Sequence, residues 1–140
     1  MNKKLYLIAA ICLLSSSLFA QQNAGAAKSM QFILIIRSNA STPLTKAIID
    51  TNIKHWQNYM GGLAGSGKIA GGYRPGNDGE VLTGANNITA GAYKANDMVV
   101  SSFLIINVKD MKEAEQIAAQ CPVFELKGSV EIRPIQNTAN

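Results

Sequence analysis

Apolar and polar positions along this chain fall into two periods. Phe32 to Ile36 is an unbroken apolar run of strand length, the pattern of a strand covered on both faces. Ser41 or Thr42 can cap a helix, and Pro43 fits its first position. Ile49, Ile53, Trp56, Met60 and Leu63 then recur at spacings of four and three, which predicts the buried stripe of a long helix. Leu44, Ile48, His55 and Tyr59 form an adjoining stripe. Gly61-Gly62 weakens the last turn, and Gly65 or Gly67 ends it. Lys68 to Tyr73 reads as a second strand, and Arg74-Pro75-Gly76-Asn77-Asp78-Gly79 as a turn. Glu80 to Thr83 is a short strand, followed by a turn at Asn86-Asn87. Val99 to Val108 is a long strand, apolar on both faces apart from Ser101 and Ser102. Asp110 caps a second helix with Met111, Ala114, Ile117 and Ala118 on its apolar stripe, and Pro122 ends it. Gly128 opens the final strand, Ser129 to Ile135.

The order is therefore strand, helix, strand, strand, helix, strand, with weakly similar halves. Two crossover units interleaved in one antiparallel sheet give a ferredoxin-like α+β fold. Both helices then lie on one sheet face. The first and third long strands would still present apolar side chains on the other face, and an open sheet does not leave such a face in water. Pairing with a second copy, sheet against sheet, resolves this and predicts a homodimer of the dimeric α/β-barrel type.

The ends add a destination. Lys3 and Lys4 precede an uncharged run from Leu5 to Leu14, then Ser15-Ser16-Ser17 and Leu18-Phe19-Ala20. Ten apolar residues are too few for the ~20 that span a bilayer, and Ala20 suits signal peptidase. Residues 1–20 read as a signal peptide cut before Gln21, for export to the periplasm or beyond, with no stable membrane insertion afterwards. Residues 21–29 are a polar linker, 30–136 the domain, and 137–140 a polar tail. The formal charge of +4 falls to +2 without Lys3 and Lys4, from 11 basic and 9 acidic residues. No basic stripe remains to suit a nucleic acid. Cys12 leaves with the signal, so Cys121 is the only remaining thiol and no disulfide forms within one chain; it reads as buried, or else free to pair between chains. One His, His55, excludes an all-protein His/Cys zinc site. Gly62 to Lys68 imitates a phosphate loop, but Ile69 stands where Ser or Thr is needed and the glycines follow a helix. No cofactor is expected.

Trp56-Gln57-Asn58-Tyr59-Met60, Gly67-Lys68-Ile69-Ala70-Gly71-Gly72, Glu113-Ala114 with Ile117-Ala118, Cys121-Pro122 and Gly128-Ser129-Val130-Glu131-Ile132-Arg133-Pro134-Ile135 stand in order along the chain. Together they resemble the YCII-related, or DGPF, domain over nearly all of residues 30–135. The resemblance implies a dimeric ferredoxin-like barrel with a cavity between two sheets, and suspected lactone-isomerase-like or dehalogenating chemistry on small cyclic compounds. The family's Asp-Gly-Pro-Phe falls on Ala90-Gly91-Ala92-Tyr93, so its acid is replaced by Ala90. The His that some members pair with that acid falls on Trp56. His55, one residue earlier, is rotated by about 100° on a helix and cannot substitute.

Six residues are candidates for a ligand site. His55 is a base near neutral pH if an acid orients it, or a half-exposed structural residue. Trp56 is a core anchor or a cavity wall. Tyr93 offers a hydroxyl to a ligand or to solvent. Glu131 and Arg133, two apart on a strand, share a face, as a structural ion pair or as an anion site steadied by the acid. Arg37 ends the first strand and can join them. The leading expectation is an exported dimeric domain holding a small organic molecule in the inter-sheet cavity, without the His–Asp pair. The alternatives are an enzyme using other residues, and a dimerisation module of the envelope.

Overall fold

The structure is a computed structural model that describes residues 29–76 and 78–136. The signal peptide, most of the linker and the polar tail expected from the sequence lie outside the described residues. Strand β1 spans Met30–Asn39, helix α1 Lys46–Gly65 and β2 Ile69–Tyr73. Two short strands follow, β3 (Glu80–Leu82) and β4 (Ile88–Ala90), then β5 (Lys94–Ala95) and the long β6 (Met98–Val108). Helix α2 (Met111–Ala118), a 3₁₀ turn (Pro122–Leu126) and β7 (Ser129–Pro134) complete the domain.

The main sheet runs β2-β6-β1-β7 and is antiparallel throughout, with β5 paired to the start of β6. β2 and β1 flank β6, while β6 and β7 flank β1, so the two strand–helix–strand units interleave as expected. The α+β architecture is compatible with the ferredoxin-like fold. β3 and β4 pair only with each other and form a separate arm.

Alternation along the two central strands divides the sheet into unlike faces. Phe32, Leu34, Ile36, Leu104, Ile106 and Val108 are buried, packed with Leu63 of α1 and with Ala114 and Ala118 of α2. Burial of one large apolar side chain contributes about 1.5–3 kcal/mol, so this layer supplies much of the driving force for folding. The intervening Ile33, Ile35, Phe103 and Ile105 are only half-buried. They stand in two directly opposed pairs, Ile35 with Phe103 and Ile33 with Ile105. Both helices thus cover the same face. No helix among the described residues is long and apolar enough to cross a membrane.

Element ends depart from the sequence expectation in instructive places. The cap of α1 is Thr45, whose hydroxyl accepts from the Ile48 amide at 3.3 Å. Neither Ser41 nor Thr42 caps it, because Thr42 instead donates to the Leu126 carbonyl at 3.2 Å and ties the entry loop to the 3₁₀ turn. Gly67 takes φ +66 just after α1, where an L side chain is disfavoured. Asp110 caps α2 as expected, accepting from the Glu113 amide at 2.8 Å, while Glu113 accepts from the Lys109 amide at 2.8 Å. α2 ends at Ala118, and Pro122 begins the 3₁₀ turn instead of merely terminating a helix.

Between Ile36 and Arg37 the ladder of β1 and β6 slips by one residue, leaving Ser101 unpaired in register. Ser101 satisfies the Ile36 carbonyl with its hydroxyl at 3.2 Å. The serines that interrupt the apolar pattern of β6 are therefore the site of a β-bulge.

Of the glycines among the described residues, Gly128, in the return from the 3₁₀ turn to β7, is the most crowded. A Cβ on Gly128 would lie 2.2 Å from Val123 Cγ2 and 2.5 Å from the Arg37 carbonyl. Because one of those atoms is backbone, the clash cannot be relieved by a rotamer change. Gly128→Ala is expected to cost about 3 kcal/mol of stability, measured as a shifted midpoint in urea unfolding followed by circular dichroism. An unchanged midpoint would show that the turn relaxes freely.

Candidate functional site

The inward stripe of α1 is Asn52, Trp56, Tyr59, Met60 and Leu63: Trp56, Met60 and Leu63 of the expected stripe pack on the core, and Ile49 and Ile53 do not. Ile49 and Ile53 are 40% and 49% exposed, whereas Asn52 is 7% exposed. The cause is a polar tether. Asn52 Nδ2 donates to the Pro122 carbonyl at 3.0 Å and to Glu125 Oε2 at 2.9 Å. A buried amide with both hydrogens engaged is favourable only where those acceptors stand. The first half of α1 is therefore fastened to the 3₁₀ turn, and its flanking isoleucines do not reach the sheet.

Beside this tether opens a cleft of about 680 Å³ between α1 and the helix-covered face of the sheet. Ile53, Trp56, Gln57 and Met60 form its α1 wall, Ile36, Gly72, Ser102 and Leu104 its sheet wall, and Val123 and Leu126 one end. At the other end stands Arg74. The volume lies in the range of small-molecule sites, and the mixture of apolar walls with few polar groups is typical of them. Trp56 is held edge-on against Tyr59, ring centroids 5.8 Å apart and planes at 82°, an arrangement favoured by the ring quadrupoles. Tyr59 in turn donates to the Ile117 carbonyl at 3.1 Å, and burial pushes its phenol well above the usual range. A smaller groove of about 360 Å³ lies between α1 and α2, beside the Lys68–Glu113 ion pair at 2.5 Å.

The six residues singled out from the sequence separate into four places. Trp56 lines the cleft. Arg37, Glu131 and Arg133 come together on the opposite, open face. Glu131 bridges them, with Arg37 Nη2 at 2.7 Å on one oxygen and Arg133 Nε on the other. These two guanidinium groups hold the Glu131 carboxyl below the usual range. This cluster is an ion-pair network within one chain. Tyr93 lies between β4 and β5, is 69% exposed, and lines neither cavity.

His55 occupies the flank of α1 turned away from the cleft. Its Nδ1 is 2.8 Å from Glu125 Oε1. The imidazole does have an orienting acid, which the sequence did not reveal because Glu125 lies 70 residues away. Glu125 is thus shared between His55 and Asn52, and these hydrogen bonds hold its carboxyl below the usual range. The pair is half-exposed and borders no described cavity. Among the described residues no group of three or more His, Cys, Asp and Glu is placed to hold a metal ion.

Cys121 is buried, 3% exposed, and desolvation pushes its thiol up to about 11. Of the residues that shape the cleft, Asn52, Gln57, Gly72, Arg74 and Ser102 escaped the sequence reading. An asparagine on the inward line of an apolar helix was the available signal for the first. Arg74 was hidden inside a turn-forming run.

This architecture defines an antiparallel α+β domain whose larger cleft lies beneath its first helix. The model of the YCII-related domain family matches residues 30–138, and the chain belongs to that family. No curated protein matches it. The positions that the family resemblance assigns to its proposed His and Asp carry Trp56 in the cleft wall and Ala90 at the end of β4. The glycine after Ala90 keeps a backbone role: Gly91 takes φ +95 and donates to the Gly79 carbonyl at 2.7 Å, closing the arm.

Because Glu125 is depressed in the folded chain, its stabilisation is present above the ordinary glutamate value of about 4.5 and is lost as pH falls through the lower folded value. Glu113 and Glu131 shift in the same direction. The melting temperature is expected to fall as pH drops below about 4.5. Glu125→Gln should melt lower than the parent at pH 7 and approach it in acid. Parallel curves at all pH values would remove Glu125 from this account.

Proposed function

We propose that this chain binds a small, predominantly apolar organic molecule in the cleft beneath α1. The observation that supports this most directly is the cleft itself: about 680 Å³, walled by Trp56, Ile53, Met60 and Leu104, with Gly72 in its lining. Gly72 contributes no side chain where alternation would aim one into the cleft. A Cβ there would meet Leu104 Cδ1 at 3.4 Å, an ordinary contact. The absence of the side chain is thus not demanded by packing, but it keeps the cleft open. The family's His–Asp chemistry has no residues to carry it, so the reading is binding, not that acid–base reaction.

The chain works as a homodimer in this proposal. The half-buried Ile33, Ile35, Phe103 and Ile105 form a continuous apolar centre on the open sheet face, the composition that a second copy would bury. The sequence expectation put the ligand between the two sheets. The cleft beneath α1 is on the other side of the sheet, so dimerisation and binding occupy separate faces.

Binding is read with N-phenyl-1-naphthylamine, a neutral apolar fluorophore. Its emission should rise on mixing and accept energy from Trp56, the only tryptophan. Gly72→Leu, which fills the cleft, should weaken the signal at least ten-fold while leaving the circular dichroism unchanged. Equal binding by the variant, or none by the parent, would refute the cleft as a site.

For the dimer, light scattering at micromolar concentration should give twice the chain mass. Ile35→Asp, which puts a charge in the centre of the open face, should give the chain mass with retained secondary structure. A parent that scatters as a monomer would end the dimer proposal.

A further inference from the structure

We propose that the molecule held in the cleft is an organic anion, a carboxylate on an apolar body of about two rings, and that Arg74 recognises its charged end. This inference rests on the cleft being a binding site and specifies what enters it.

Arg74 is the first residue beyond β2. Tyr73 pairs with Phe103, so the antiparallel register continued by one residue sets Arg74 opposite Ser102. Alternation places both on the face shared with Gly72 and Leu104, the face toward α1. Both line the cleft. Arg74 and Ser102 thus supply a guanidinium and a hydroxyl to the β2 end of the lining, donors of the kind that suit a carboxylate.

The charge balance of the walls favours the same class. Arg74 is the only charged side chain among the described residues lining the cleft. No other basic side chain lines the cleft: Lys68 is engaged by Glu113, Arg37 and Arg133 by Glu131 on the opposite face, and Lys94 and Lys127 lie outside its lining. Arg74 has no ion-pair partner among the described residues. At the far end, Glu125 lies behind Asn52, which takes one of its oxygens, while His55 takes the other. An anion entering carboxylate-first toward the 3₁₀ turn would approach Glu125. One oriented toward Arg74 would not.

Length follows from the sheet. The cleft runs from Arg74 beside β2, across Ser102 of β6, to Ile36 and Ser38 of β1. Two strand intervals amount to about 10 Å, which accommodates a fused two-ring body against Trp56 and Ile53.

The test is displacement of N-phenyl-1-naphthylamine by 2-naphthoate and by its neutral isostere 2-naphthamide. Naphthoate should displace the fluorophore at about ten-fold lower concentration than the amide, the magnitude of one charge-assisted contact. The gap should close in Arg74→Gln, persist in part in Arg74→Lys, and narrow with added salt. Arg74 is exposed, so these variants should fold, and retained fluorophore binding by each confirms that they do. Equal displacement by acid and amide, or a gap that survives in Arg74→Gln, would overturn the role of Arg74 while leaving the cleft as an apolar site. Failure of the fluorophore and of both naphthalenes to bind the parent, the latter by calorimetry, would instead remove the cleft reading and this inference with it.

Discussion

The hydrogen bonds from Asn52 to the 3₁₀ turn govern the shape of the helix layer. A helix lying on a sheet ordinarily buries an apolar stripe along its whole length. In α1 the stripe is interrupted at its second turn by an amide whose acceptors, the Pro122 carbonyl and Glu125, belong to the segment before β7. The helix is anchored sideways there and apolar-packed only from Trp56 to Leu63. The cleft is the space left between those two modes of attachment. Gly128 is the other half of the constraint, because the 3₁₀ turn can offer its acceptors to Asn52 only if the chain returns to β7 through a position with no side chain.

The two faces of the sheet carry different loads. The face under the helices holds the core and, beneath α1, the cleft. The open face carries Ile33, Ile35, Phe103 and Ile105 with the Arg37–Glu131–Arg133 network at one side. That network offsets two guanidinium charges with one carboxylate on an otherwise apolar surface, and like charges left unpaired there would oppose burial. It lies on the face opposite the cleft and takes no part in its lining.

Much of this was legible in the sequence. The order of the long strands and the two helices, the cap at Asp110, and the shared face of Glu131 and Arg133 follow from local periodicity and spacing, whereas the short β4 and β5 carry no such signal. What escaped depended on contacts between distant residues. Thr42 has a capping side chain, but the Leu126 carbonyl, 84 positions later, takes it. His55 looked unaccompanied because its carboxylate lies on a 3₁₀ turn that no apolar period marks. Ile49 and Ile53 match the helical period and still stay out of the core, Ile53 lining the cleft instead, since periodicity cannot register that Asn52 fastens the helix to the 3₁₀ turn. Arg74 sat in a run of turn-formers whose composition spoke louder than its alternation with Gly72.

Cys121 ends with a consequence of its own. It stands at the root of the 3₁₀ turn, buried beside the tether, and its raised ionisation keeps the nucleophilic thiolate scarce. Its chemistry is silent while the turn stays docked and becomes audible when the turn lifts. The rate at which a thiol reagent consumes this side chain thus clocks excursions of the very segment that sets the cleft, with no label introduced.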